Sequence, residues 1–441
     1  MIGAPKEKEK VHPDPRPSAA EALEPFRPGV DGPWDRAAAS HLVRRAGFGM
    51  PPAAVDGVLA AGPRAAAEKL LLGDTPSSDE EFASETAGKL GTLDAAQASW
   101  VYRMLRGTHP AREKLALFWH GRFATSVRKV EDVRLMLRQV EVFRTKGAGP
   151  FADLLLEVAR DPAMLVWLDG NSNRRGHPNE NLAREIMELF SLGIGNYTEE
   201  DIKEAARALT GWHVKNDEFW NNERAHDTGE KEIFGQTGKF GGEDVVRLCA
   251  GRPACAEFIA AKLFEFYVHA GPSPELRREM GKCYSASGLK TGEFLIRLFS
   301  SRVFYSQRAR RAIVATPADF AVGSLRTLTA TASTRAVARA MAAMGQELLA
   351  PPSVKGWDLG LSWLSSPTLL SRLRYAAEVC GEAGQDLGAE VPWERLRAER
   401  PGIRQRFFPE GLPAAAAAAA GEGGPRDVAA VCLQLPESQF I

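Results

Sequence analysis

The sequence has few cysteines, no excess of either charge and no long apolar run. Its five cysteines are an odd number and none forms a C-x-x-C pair, which argues against a disulfide framework and the commonest zinc and redox sites. The 56 Lys and Arg residues balance the 56 Asp and Glu residues, so no net field draws the chain to nucleic acid. No apolar run approaches the roughly 18 residues of a membrane span. We therefore expect neither nucleic acid nor a membrane as partner.

Several familiar signatures are also missing. The N-terminal segment MIGAPKEKEKVHPDPRP has charges and prolines where a signal peptide needs an apolar stretch, which predicts a cytoplasmic protein unless a targeting segment has been removed. There is no H-E-x-x-H, no G-x-S-x-G, no Walker phosphate loop and no complete G-x-G-x-x-G. The sequence thus gives no motif for the best-known zinc proteases, serine hydrolases or nucleotide-binding enzymes.

In most of the sequence, apolar residues recur at the spacing of an α-helix, which predicts a mainly α fold. Residues 1–33 are rich in Pro, Lys and Glu, and predict a flexible N-terminal arm. Residues 34–441 predict one large multi-helix domain, for which a subdivision near 241–250 stays open. Seven consecutive alanines lie in a low-complexity insert at 413–424.

One long segment breaks the helical pattern. Between Trp212 and Phe240 the chain is rich in Asn, Asp and Gly and lacks helical period, which predicts a long irregular loop with a short β-hairpin. Long polar loops inside compact domains are usually functional.

The strongest chemical pattern is the segment Pro178–Phe190, PNENLAREIMELF. On a helix, Glu185 and Glu188 are one turn apart and Asn181 lies one turn before Glu185, so the three polar groups share a face. Two carboxylates so placed repel each other unless a proton or a cation lies between them. A metal ion would remove that conflict, so the spacing favours a metal site on this helix.

Other segments supply side chains that would complete a metal site. The helix predicted over 110–125 carries His120, the helix predicted over 199–210 carries Glu204, and the irregular loop carries the adjacent His226 and Asp227. Imidazole nitrogens with carboxylate oxygens suit iron, manganese or zinc, and helical carboxylate proteins aim such groups inward from facing helices. The predicted divalent metal, with iron favoured, has the candidate ligands His120, Glu185, Glu188, Glu204, His226 and Asp227. We expect Arg184 to orient one of the carboxylates.

Ordinary helix chemistry gives an alternative interpretation of the same residues. The acids can be neutralised by basic residues at helical spacing, in the pairs Glu180–Arg184, Arg184–Glu188, Lys203–Glu204 and Glu204–Arg207. In this interpretation His120 is a hydrogen-bonded core histidine, and the cluster is structural.

A second pattern is Pro351–Trp357, PPSVKGW, followed by Trp363. Two prolines, a glycine and two indoles can form the wall of a pocket, where Lys355 would meet an anionic group. The alternative is a tryptophan-anchored loop that only holds the C-terminal helices.

The chain resembles a bacterial family catalogued as domain of unknown function 1800. The resemblance is carried by AAASHLVRRAGFGMPPAAVD, REKLALFWHGRFATS, DPAMLVWLDGNSNRRGHPNENLAREIMELFSLGIGNYTEEDIKEAARALTGW, HDTGEKEIFG, PPSVKGWDLGLSW and LPESQF. It implies a large, predominantly helical protein and supplies no established reaction. Many family members look exported, whereas this N-terminus does not.

These observations lead to three hypotheses of function. The first is a metal-dependent enzyme, a non-haem iron or di-iron oxidase or hydroxylase acting on a small molecule or a peptide, with Glu185, Glu188, His120 and Arg184 as its catalytic residues. The second is a metallohydrolase, in which one glutamate acts as a general base. The third is a non-catalytic helical scaffold or partner-binding protein.

Overall fold

A computed structural model gives the fold of residues 18–49, 51–73, 77–381, 387–421 and 423–441. Within these ranges the chain forms α-helices joined by short turns, and its β-structure is limited to two small antiparallel hairpins. The predicted mainly α fold is confirmed.

The first part of the chain forms six helices around the N-terminal side of the core. They are α1 (Ala19–Ala22), α2 (Arg36–Ala46), α3 (Pro52–Ala61), α4 (Pro63–Leu72), α5 (Ser78–Leu90) and α6 (Leu93–Arg106). From Ser18 onward this differs from the predicted flexible arm, because Leu23 and Phe26 are buried in the main core. Residues 1–17 of that arm lie outside the described residues.

The middle part holds the helices that carry most of the predicted site. They are α7 (Pro110–Arg122), α8 (Val127–Val130), α9 (Val133–Lys146), α10 (Phe151–Arg160), α11 (Pro162–Trp167), α12 (Asn181–Glu185), a π-helical turn (Ile186–Ser191), α13 (Glu199–Ala208) and α14 (Gly242–Ala250). Thr198 begins α13 with a capping box, since its hydroxyl accepts from Asp201 N and the Asp201 carboxylate accepts from Thr198 N.

The last part of the chain packs against the first and the middle parts. Its helices are α15 (Pro253–Tyr267), α16 (Pro274–Ala286), α17 (Thr291–Phe299), α18 (Pro317–Thr327), α19 (Thr334–Ala343), α20 (Ser366–Val379), α21 (Trp393–Ala398), α22 (Ile403–Phe407), α23 (Ala414–Ala420) and α24 (Pro425–Gln434). The alanine run of the predicted insert is α23, and its Ala416 and Ala420 are buried in a small second cluster with Phe408.

Helix α7 lies at the centre of the molecule. Its residues from Leu115 to His120 are all buried, as expected of a helix that is covered on every side. Two charges on α7 are neutralised inside the core: Lys114 binds Asp319 at 2.6 Å, and Glu113 binds Arg144 at 2.5 Å. Helix α7 thereby ties α18 and α9 to one core.

The irregular segment contains two hairpins where one was predicted. Strand β1 (Trp212–Lys215) pairs with β2 (Glu218–Asn221), and β3 (Lys231–Ile233) pairs with β4 (Gln236–Gly238). Asn216 and Asp217 between the first two strands both have positive φ, as a tight two-residue hairpin turn requires. The described helices include none that is long and apolar enough to cross a membrane.

Candidate functional site

Glu185 and Glu188 lie where a helix changes its geometry. Glu185 is the last residue of α12, and Glu188 lies within the π-helical turn, where Leu192 N donates to Met187 O at 2.9 Å. The sequence pattern predicted that both glutamates lie on one ordinary α-helix, and the structure corrects this. Single π-helical turns occur frequently at functional sites.

Two side chains donate hydrogen bonds to backbone carbonyl groups of the π-helical turn. Arg122, from the C-terminal end of α7, donates from Nη2 to Leu189 O at 3.0 Å, and Ser191 Oγ donates to Ile186 O at 2.5 Å. The partly buried Arg122 guanidinium thus connects the central helix to the segment that carries the acidic pair. No pattern in the sequence marks Arg122 for this role.

Glu185 and Glu188, here called the acidic pair, have different environments. Tyr197 donates its hydroxyl to Glu188 Oε2 at 2.8 Å. Glu185 is half-buried, and burial together with the charge of Glu188 raises its pKa to about 7. Arg184 and Lys355 oppose that rise through their charges. Near neutral pH, Glu185 can therefore both hold and release a proton.

Neither glutamate of the pair has an ion-pair partner among the described residues, in contrast to nearby acids. Arg184 binds Glu180 at 2.9 Å and Glu199 at 2.8 Å, and Glu199 has a lowered pKa because of that contact. Arg184 thus makes no hydrogen bond to Glu185 or Glu188, and acts on Glu185 only through its charge. This corrects the predicted orienting role of Arg184.

The segment Pro351–Trp357 reaches the same region from the C-terminal part of the chain. Gly356, with φ of 81°, packs directly on the backbone of Gly121, so that a side chain there would collide with Gly121 O. The adjacent exposed Lys355 lies close enough to lower the pKa of Glu185 by its charge. The loop therefore brings its lysine within electrostatic range of Glu185, without an ion pair between the two side chains.

His120 lies beneath this loop and is completely buried. Its ring contacts Trp100 and Trp357, at centroid distances of 5.5 and 5.4 Å, and both ring nitrogens lack a hydrogen-bond partner in the described part of the chain. Burial lowers its pKa to about 3, so the imidazole is neutral. The alternative interpretation, a core histidine, is correct about its burial but not about a hydrogen bond.

Glu204 and Asp227 are neutralised by one arginine. Arg207 binds Glu204 at 2.8 Å and Asp227 at 2.9 Å, and holds the pKa of Asp227 below its ordinary value. His226 Nδ1 lies 2.8 Å from Thr210 O, to which it donates. These contacts fasten the loop to α13, as the ion-pair interpretation predicted for Glu204.

The structure therefore brings together only part of the predicted metal site. In the ranges that the structure describes, no group of three or more His, Cys, Asp or Glu side chains is placed to hold a metal ion. Glu185 and Glu188 are neighbours, Glu204 and Asp227 meet at Arg207, and His120 is enclosed by aromatic rings. The six predicted ligands do not converge on one point.

In the comparison with known protein families, a family model matches residues 41–438. The chain belongs to the DUF1800 family, described as a protein of unknown function. The family resemblance inferred from the motifs is thus confirmed. The DUF1800 match includes every candidate site residue, from His120 to the Lys355 loop. The chain matches no curated protein and no solved structure.

Proposed function

We propose that this protein is an enzyme whose reactive centre is the acidic pair of Glu185 and Glu188, with Glu185 as the group that donates and accepts a proton. The observation that carries the proposal is that the acidic residues around the pair are ion-paired, whereas the pair itself is not. Glu180, Glu199, Glu204 and Asp227 are each bound by an arginine, while the pair is left without an ion-pair partner in the described structure.

Leaving two like charges side by side without a counter-ion destabilises a fold, so their arrangement needs another reason. A carboxyl group with a pKa near the working pH is suited to general acid–base catalysis, because it is present in both protonation states. The hydrogen bond from Tyr197 holds Glu188 in place, so Glu185 is the residue that would carry the proton. Lys355 would orient an anionic group of the substrate or of the reaction intermediate beside Glu185.

A second candidate function follows from the same pair. A divalent cation would relieve the repulsion between the two carboxylates in place of the proton, as in the iron-dependent oxidase or hydroxylase and the metallohydrolase predicted from the sequence. Among the described residues no His, Cys, Asp or Glu is placed to complete a three-ligand site with the pair, so the acid–base proposal is the better supported. The scaffold hypothesis predicts that the pair has no chemical role at all.

The test is conversion of small molecules and peptides by the purified full chain. A metabolite and peptide extract is incubated with wild type, Glu185→Gln and Glu188→Gln, and substrate loss is followed by mass spectrometry. We expect wild type to convert at least one compound, and both variants to lose about 100-fold or more of that rate. Glu199→Gln is the matched control, because Glu199 is nearby and ion-paired, and it should keep wild-type activity.

Metal content, measured by elemental analysis on the same samples, separates the candidates. Conversion by metal-free protein supports acid–base catalysis. Stoichiometric iron or zinc that is lost in Glu185→Gln supports a metal-dependent enzyme, oxidative or hydrolytic respectively. Conversion that is equal in wild type and in both folded variants would contradict a catalytic role of the pair.

A further inference from the structure

A second site lies far along the chain from the acidic pair, where α2 and α18 meet the C-terminal segment. These elements line a cavity of about 60 Å³ that is partly open to solvent. Three arginines line it: Arg44 of α2, Arg311, and Arg406 of α22. Aromatic rings line the rest of it, from Phe48, Phe320, Phe407, Phe408 and Phe440. The cavity thus combines guanidinium groups with an apolar wall.

Two of the arginines that line the cavity each have a guanidinium nitrogen without a hydrogen-bond partner among the described residues. The Arg406 side chain is only 2% exposed. Its Nε donates to Pro401 O at 2.9 Å and its Nη2 to Glu399 at 2.8 Å, while Nη1 is buried without a partner in the described residues. Arg44 Nη2 is also buried without a hydrogen bond there, and lies 3.7 Å from Glu410.

The acids around the cavity already have cationic partners. Asp319 binds Lys114 at 2.6 Å and the Thr316 hydroxyl at 2.9 Å. Glu410 binds Arg311 at 2.5 Å and is the nearest acid to Arg44.

Positive charge is in excess in this part of the interior. Arg45 and Arg372, which are also buried, bind backbone carbonyls and an amide oxygen and have no acidic partner among the described residues. Burial and the neighbouring arginines lower the pKa of Arg44 to about 10, which still leaves it charged at neutral pH. The three arginines of the cavity share two carboxylates, those of Glu399 and Glu410, so an anion in the cavity would balance the remaining positive charge.

We propose that this cavity binds an organic anion, with a carboxylate or phosphate head group between Arg44 and Arg406 and an apolar or aromatic body against the phenylalanine rings. Guanidinium groups form strong charge-assisted hydrogen bonds with both head groups. The site is separate from the Glu185–Glu188 pair and does not depend on the proposed function.

The test is calorimetric titration of the full chain with benzoate and with phenyl phosphate at constant ionic strength. We expect saturable binding of at least one probe by wild type, and a Kd at least about tenfold higher in Arg406→Gln, which removes the unused donor. Arg326→Gln is the matched control. Arg326 is partly buried and binds three backbone carbonyls, but it does not line the cavity, so its removal should leave the Kd unchanged.

A second variant leaves the charges in place. Ser438 lines the cavity, so Ser438→Phe should fill it and weaken binding to the same extent as Arg406→Gln. Binding of benzoate alone supports a carboxylate ligand, and binding of phenyl phosphate alone supports a phosphate ligand. Absence of saturable binding of both probes up to about 10 mM overturns the proposal, as does unchanged affinity in folded Arg406→Gln. Should neither variant fold, the wild-type titration decides.

Discussion

Glu185 and His120 are the two residues whose surroundings differ most from those of ordinary polar side chains. Glu185 is half-buried beside a like charge, and His120 is fully buried without a hydrogen bond. Both arrangements favour the neutral form of the side chain, so each makes the stability of the protein depend on pH.

The free energy of unfolding should fall with rising pH because of Glu185. Its pKa is raised from the ordinary 4.5 to about 7 in the folded protein, so its favourable contribution is complete below pH 4.5 and is lost as the pH rises through 7. After allowance for solvent screening, Glu185→Gln should be more stable than wild type by about 1 kcal/mol at pH 8 and equal to it at pH 4. Urea unfolding at several pH values measures this, and a less stable variant at pH 8 would contradict it.

Because of His120, the free energy of unfolding should rise with rising pH. Its pKa is lowered from 6.5 to about 3, so its contribution to stability is present above pH 6.5 and is lost as the pH falls toward 3. His120→Met has a similar volume and breaks no hydrogen bond, so at pH 7 its stability should stay within about 1 kcal/mol of wild type. At pH 4 the variant should be the more stable protein in urea unfolding.

The control for His120 is His41→Met. His41 is buried as well, but its Nε2 donates to Phe304 O at 2.9 Å. Removing that donor should destabilise the protein by about 1–3 kcal/mol at pH 7. Equal losses in the two variants at pH 7 would mean that His120 makes a hydrogen bond that the structure does not contain.

At the scale of elements, the loop 351–357 and the π-helical turn position the acidic pair. The loop rests on the end of α7 through Gly356, and Arg122 from the same end of α7 holds Leu189 O. The central helix thus fixes both sides of the site, which places Lys355 near Glu185.

Gly356→Ala should displace this loop. A methyl group would collide with Gly121 O, and the φ of 81° is unfavourable for alanine, so we expect a loss of about 2–4 kcal/mol in urea unfolding. Gly360→Ala is the matched control, because Gly360 has a similar φ of 72° and nothing within 4 Å of the added carbon. It should lose only about 1 kcal/mol. Equal losses in both variants would mean that the loop does not rest on α7.

The sequence predicted the acidic pair because helical spacing alone places Glu185 beside Glu188. It also predicted the competing ion pair of Glu204 with Arg207, for the same reason. It did not predict Lys355 or Arg122 as neighbours of the pair, since their positions depend on long-range packing. The π-helical turn was missed because an α-helix and a π-helix have the same apolar pattern over so few residues.

At the scale of the whole molecule, one hydrophobic core extends from the first described helix to the last one. Helix α7 lies inside it, and the C-terminal segment closes the cationic cavity against α2 and α18. The mainly α class was predictable from periodicity, but the packing of residues 18–33 was not, because few apolar residues mark that segment.

Truncating a core residue of this segment tests its packing. Phe26 is 6% exposed and its ring lies 4.7 Å from that of Tyr305, so Phe26→Ala should destabilise the protein by about 3–5 kcal/mol. Val30→Ala nearby is the control, because Val30 is 70% exposed and its truncation should change stability by less than about 0.5 kcal/mol. Thermal unfolding of both variants gives the comparison, and equal stabilities would mean that the segment is not part of the core.

The most direct test of the acidic pair is an NMR titration of the Glu185 side-chain carbon in wild type and in Glu188→Gln. Because burial and the Glu188 charge both raise the pKa of Glu185, we expect a value of about 7 in wild type and a lower one in the variant. An ordinary pKa near 4.5 in wild type, or a raised pKa that Glu188→Gln leaves unchanged, would contradict the coupling of Glu185 and Glu188 on which the proposed function depends.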